Sequence, residues 1–387
     1  MKKIVFPGIA MIGVSYAFAR FSFGMFLPDI AESLELTDAA SGAISSLAYL
    51  AYCLALMTSS VFIYRTGAHT VVQMAGVSAV LGMIAIAIAP NLYVLTVGVF
   101  IAGLSSGWAS PALSQVAAST LQPYDRDRGN TWINTGTSFG LILSGPVVLL
   151  FTEHWRLSYS LFALIGIGVM LWNRKAVPVD ESRKKEESVS GYKLLNQWKR
   201  SVYLLIASFL VGISSSIYWT FSRSYLTVEY DMSYLESVAF WITMGISGIL
   251  GGIAGGIIKQ FGLATAYRFT LIILAFSIAM ITVPSVTMIY FSGILFGITY
   301  IFMTGVFIVW GTQLFINNPS IAVSLSFLFL GIGQSLGSVI AGGIIETASY
   351  TAGFLLFAGI GLVGLFLPVK TNYMNDKSDQ DKILPIG

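Results

Sequence analysis

At 387 residues, 56% hydrophobic and only 10% charged, the chain has too little polar surface to cover a water-soluble globule of its length, so it reads as a membrane protein. Its formal net charge of +3 then matters less than where the charges sit, and no nucleic-acid partner is expected. The single cysteine, Cys53, lies in an apolar run, which excludes an internal disulfide and suits a buried, inert thiol.

A hydrocarbon core about 30 Å thick takes roughly 20 apolar residues per helix. The first such run, "GVSYAFARFSFGMFLPDI", carries Arg20 with no acidic residue for eight positions on either side. It is too long for a secretory signal and lacks a small-residue cleavage pattern, so it reads as the first spanning helix. Eleven more runs follow, centred near Tyr52, Val80, Leu104, Gly140, Leu164, Val211, Ile246, Leu274, Ile301, Gly333 and Gly359. They are continuous rather than alternating, which excludes a β-barrel. The expected fold is an all-α membrane protein of twelve transmembrane helices in two six-helix bundles, residues 1–172 and 200–369. A linker (173–199) separates the bundles and a tail (370–387) follows. Within the linker, "YKLLNQWK" suits an interfacial helix.

Placing the N-terminus in the cytoplasm puts 18 of the 21 Lys and Arg residues on the inner side, leaving Arg20, Arg156 and Arg223. That asymmetry predicts a multi-pass plasma-membrane protein with both termini cytoplasmic. No Asp or Glu falls within a membrane core on this reading, and the nearest are Asp29, Glu236 and Glu346 at outer helix ends. His69 and His154 fall in loops and read as surface residues.

Compared with itself at an offset near 195, the chain repeats. "SYSLFALIGIG" in the sixth helix lies over "AGFLLFAGIGL" in the twelfth. Gly136, Ser138, Gly140 and Gly145 fall on Gly333, Ser335, Gly337 and Gly342, and Gly103 falls on Gly297. Small residues at such spacing let helix backbones approach closely. The two bundles are therefore expected to be pseudo-symmetric.

Twelve spans, internal duplication and a long loop after the sixth helix together resemble the major facilitator superfamily. Between helices two and three that family carries Gly-x-x-x-Asp-Arg-x-Gly and a further basic residue. Here "SVFIYRTGAH" keeps Arg65 and Gly67, with Tyr64 in place of the acid. "PYDRDRG" resembles the family's Arg-Gly loop through Arg128 and Gly129. "GTSFGLILSGP", ending in Gly145 and Pro146, resembles the glycine-proline motif of drug antiporters, although Gly140 lies five rather than four places before Gly145. The resemblance implies gating or conformational roles for Arg65, Gly67, Arg128, Gly129, Gly145 and Pro146. Arg20-Phe21 followed by Leu27-Pro28 and an acid resembles the first helix of the YbfB/YjiJ-like branch.

A charge at the depth of Arg20 faces protein or a water-filled cavity far more often than lipid. One reading is structural, with the guanidinium satisfied by backbone carbonyls and stacked on Tyr16, Phe23 or Trp219. In the other, with no intramembrane carboxylate to pair with, its planar donors await an organic anion. The resemblance implies that helices one, four, seven and ten line the central cavity. Tyr16, Trp108, Tyr218, Trp219 and Tyr300 then join Arg20 as candidate substrate-binding residues, with Gln334 from helix eleven. No nucleotide loop or metal-ligand motif is present, so neither an enzyme nor a cofactor is expected. The expected function is secondary transport by a monomer, preferably of a small organic anion, with proton coupling left open. The alternatives are proton-coupled export of hydrophobic compounds and, from another class, a lipid flippase or a non-transporting receptor.

Overall fold

In a bilayer an apolar run has no water to satisfy its backbone N–H and C=O groups, and only helices close that account within one segment. The computed structural model describes residues 2–122, 125–151, 154–179, 191–314 and 319–369, with backbone alone for 127–128, 191–200 and 319–322. Among these residues there are eleven helices long and apolar enough to span a membrane, a shorter apolar twelfth and no strand. They are α1 (Lys2–Leu34), α2 (Asp38–Thr66), α3 (Ala68–Ala87), α4 (Leu92–Thr120) and α5, formed by Arg126–Asn134 and Gly136–Phe151. The sixth and seventh are α6 (Trp155–Ala176) and α7 (Gly191–Glu229), followed by α8 (Tyr234–Phe261) and α9 (Leu263–Met280). The last three are α10 (Val286–Leu314), α11 (Pro319–Thr347) and the shorter α12 (Tyr350–Phe366). Every expected centre falls inside one of them. Polar breaks supply caps: Thr37, Asn91 and Ser349 accept from first-turn N–H groups, and Ser233 with Glu236 forms a capping box at α8.

The sequence repeat is also a packing repeat. Gly136 and Gly140 of α5 lie against α1 at Ile9, Ile12 and Gly13, while Gly333 and Gly337 of α11 lie against α7 at Phe209 and Ile213. Gly103 of α4 meets Ala48 of α2, and Gly297 of α10 meets Met244 and Ser247 of α8. The turns joining α2 to α3 and α8 to α9 are copies as well, each made by a glycine that L side chains would strain: Gly67 at φ +85° and Gly262 at φ +82°.

The two bundles touch from mid-depth to the end opposite the termini, called here the far end. A Cβ on Gly24 of α1 would overlap the Trp219 carbonyl of α7, and one on Gly42 of α2 would overlap the Ser338 carbonyl of α11. Between α2, α7 and α11 runs a set of hydroxyls: Ser45 to Thr220 at 2.9 Å, Thr220 to Ser338 at 3.3 Å and Ser46 to Ser335 at 2.9 Å. Gly145 of α5 packs on Ile242 of α8. Toward the termini, Met57, Val61 and Tyr64 of α2 are exposed, and Gly252, Gly255 and Gly256 of α8 face open space.

Two details differ from the sequence reading. The backbone helix of α6 reaches Ala176 and that of α7 begins at Gly191, so "YKLLNQWK" continues α7 rather than forming a separate helix. Residues 180–190 and the tail from 370 lie outside the described residues. His69 sits in the first turn of α3, where its Nδ1 donates to the Val177 carbonyl at 2.8 Å and ties α3 to the end of α6.

Candidate functional site

Arg20 is placed by an irregular helix. Residues Gly13–Phe21 of α1 form a π-helical stretch, with Ser22 N–H closing on the Ala17 carbonyl five residues back. Small residues make this possible, because Gly13 packs against Gly136 and Gly140, and Ser105 of α4 donates to the Ser15 carbonyl at 3.3 Å. Such widened turns are frequent at functional sites.

The guanidinium is only 5% exposed and is enclosed by rings: its Cζ lies 4.0 Å from the Tyr52 centroid, 4.7 Å from Tyr49, 5.1 Å from Phe21 and 5.8 Å from Tyr16. Its Nη2 donates to Gln334 Oε1 at 2.8 Å, across the boundary between the bundles. Gln334 Nε2 in turn donates to Tyr300 Oη at 3.0 Å, which fixes which end of the amide faces Arg20. Trp219 stacks on Phe21 at 4.2 Å and meets Tyr300 edge-on at 5.1 Å. Arg20 Nε and Trp219 Nε1 are both buried without an acceptor. Buried donors are usually satisfied, so the unpaired Nε leaves this guanidinium able to take a further acceptor.

Five of the seven expected binding residues thus converge: Arg20, Tyr16, Trp219, Tyr300 and Gln334. The other two lie apart. Tyr218 is buried inside the second bundle, hydrogen-bonded to Ser292 at 2.8 Å and stacked on Phe296 at 3.8 Å. Trp108 donates to Thr58 at 3.1 Å and packs edge-on to Phe62, on the α2–α4 seam. The neighbours Tyr49 and Tyr52 were not singled out by sequence. Their signal is the i, i+3 pair in "YLAY", which puts two phenols on one face of α2.

Of the gating candidates, Gly67 makes the α2–α3 turn, Gly129 is buried against Leu121, and Gly145 meets α8 across the bundle boundary. Pro146 lies exposed within α5. Arg65 is exposed and forms no hydrogen bond or ion pair among the described residues, and the Arg128 side chain lies outside them. The rim acids are better occupied. Asp29 of α1 pairs with Arg223 of α7 at 2.6 Å, and Arg223, 1% exposed, also donates to the Met25 carbonyl and to Ser237 Oγ. Glu346 of α11 accepts the Ala39 N–H of α2 at 2.8 Å, and Tyr350 of α12 donates to Asp38 of α2 at 2.8 Å. Glu236 caps its own helix.

A sequence model of the Major Facilitator Superfamily matches residues 9–320. The chain belongs to that superfamily. It is 24% identical over 387 aligned positions to the hexuronate transporter of Bacillus subtilis (strain 168), covering 91% of this chain and 90% of that one. It is 35% identical over 156 positions to monocarboxylate transporter 11 of Mus musculus, covering 38% of this chain and 33% of that one. Two solved structures share its fold at 16% identity and a TM-score of 0.76. They are a point mutant of the nucleoside transporter NupG, covering 94% of this chain and 98% of its own, and a peptide transporter POT in complex with sulfate, covering 94% and 92%. The protein is therefore a multi-pass membrane transporter of the superfamily type, with the twelve-helix fold its sequence resembles.

Proposed function

We propose that this superfamily member is a secondary transporter of small organic anions that works by alternating access, with the substrate's carboxylate held by Arg20. The observation that carries the reading is the buried guanidinium at the junction of the two bundles, with no carboxylate paired to it among the described residues and an unpaired Nε. A planar cation in a dry, aromatic-walled site is suited to a bidentate oxyanion. The relatives lend support, since hexuronate and monocarboxylate are both carboxylates.

The termini are assigned to the cytoplasm and the protein to the plasma membrane, on the distribution of basic residues. The far end then faces outward, and the contacts gathered there describe a conformation closed to the outside. Each chain holds both halves of the site and acts as a monomer. Among the described residues Asp29, Glu236 and Glu346 are engaged in capping or in cross-bundle bonds. A coupling proton uses one of these rim carboxylates, travels on the anion, or plays no part.

Counterflow in liposomes tests the reading. Protein preloaded with D-glucuronate or lactate should accumulate the labelled compound, and both Arg20→Ala and Arg20→Lys should abolish the signal, because an ammonium lacks the guanidinium's fork. Unchanged exchange in Arg20→Ala, or movement of lipophilic cations alone, would favour hydrophobic-compound export with Arg20 as a structural residue.

A further inference from the structure

The bond between Arg20 and Gln334 is made by an atom that a substrate would need. In a guanidinium, Nε–H and one Nη2–H point the same way along one edge, which is the edge a carboxylate grips with two oxygens. In this site Gln334 Oε1 accepts from Nη2, one of the two nitrogens of that edge, and the other, Nε, is buried without an acceptor. A carboxamide presents one acceptor oxygen where a carboxylate presents two. The amide cannot turn to do better, because its nitrogen is engaged by Tyr300. Nor is there room beside it, since the Arg20 guanidinium is walled by Tyr16, Phe21, Tyr49 and Tyr52 and Gln334 is fully buried.

We propose that Gln334 is a built-in stand-in for the substrate's carboxylate: its Oε1 holds one of the two nitrogens that a carboxylate would grip on Arg20, and an arriving carboxylate displaces it. The inference rests on the anion reading above and adds a consequence. Arg20 belongs to α1 of the first bundle and Gln334 to α11 of the second, so their bond is a tie between the halves at the depth of the site. A carboxylate that takes both Nη2 and Nε satisfies the orphaned donor and cuts that tie in the same step. Binding then loosens the two bundles because substrate and tie compete for one atom.

This sets Gln334 apart from an ordinary binding residue, whose removal weakens the substrate. Two measurements on the full-length protein in detergent separate the cases. The first is the apparent affinity for D-glucuronate by thermal shift. Gln334→Ala should bind about tenfold more tightly than wild type, the factor that corresponds to about 1.4 kcal/mol, and Gln334→Glu, which supplies a permanent carboxylate, should not respond. The second is the rate at which a maleimide labels Ser46→Cys in a Cys53→Ser background. Ser46 is buried against Ser335 between the halves, toward the far end. Labelling should be several-fold faster with Gln334→Ala and slower with Gln334→Glu than in the parent, and opposite signs rule out partial unfolding as the cause.

If Gln334→Ala binds D-glucuronate more weakly while Arg20→Ala loses it altogether, the anion reading stands and the stand-in is wrong, because Gln334 is then a ligand alongside Arg20. Labelling rates equal to the parent in both variants would overturn the tie. If no anion stabilises the wild-type protein, the anion reading fails and takes the stand-in with it.

Discussion

Arg20 is buried at a cost to the fold. Its charge has been taken out of water for one acceptor and a set of ring faces, and burying a charge without full compensation costs several kcal/mol. Replacing it by an apolar side chain of similar length should therefore leave stability unchanged or raise it. Arg20→Met is expected to melt at or above the wild-type temperature while losing every response to organic anions. A melting temperature several degrees lower would show that the guanidinium is part of the scaffold. At this scale the sequence was informative wherever polarity was out of place: an arginine and a glutamine in apolar helices announce themselves, because each needs a partner in lipid. Tyrosines do not, since they pack, anchor and bind with equal ease. Tyr218, an expected binder, stacks on Phe296 inside the second bundle, while Tyr49 and Tyr52 are the rings nearest the cation.

At the scale of elements, small residues decide where helices meet. Gly24 and Gly252 are both glycines in spanning helices, yet a methyl group on Gly24 would overlap the Trp219 carbonyl and one on Gly252 would meet nothing within 4 Å. Gly24→Ala is expected to push α1 from α7 and speed maleimide labelling of Ser46→Cys in the Cys53→Ser background. Gly252→Ala, in the 3₁₀ turn Ile249–Ile253 of α8, should leave labelling unchanged. Equal effects of the two substitutions on labelling would contradict the packing described. The matched glycines of the two halves were legible in the sequence because the duplication preserves them. The π-helical stretch of α1 was not, because no composition distinguishes it from an ordinary helix. It is set by tertiary contacts, notably Gly13 on α5 and Ser105 on the Ser15 carbonyl.

Over the whole molecule, the described residues join the halves at the far end by one ion pair, by hydrogen bonds to the carboxylates of Asp38 and Glu346 and by a set of hydroxyl contacts, beside apolar packing such as Gly145 on Ile242. Asp29–Arg223 is the strongest of these: removing one partner of a fully buried pair costs about 3–5 kcal/mol, less here because Asp29 keeps some contact with solvent. Asp29→Ala should favour far-end opening, seen as a longer distance between spin labels at Glu32 and Val228, both exposed there. An unchanged distance distribution would remove the pair from the latch. The pairing itself escaped the sequence, since residues 194 positions apart become neighbours only through the packing of α1 on α7. The melting temperature of the detergent-solubilised protein, with matched panels of organic anions and lipophilic cations, bears most directly on what Arg20 does. An anion at 100 times its dissociation constant should add about 2.7 kcal/mol of apparent stability to the wild type and none to Arg20→Ala. Stabilisation by cations alone, or an equal anion response in the variant, would contradict carboxylate binding by Arg20.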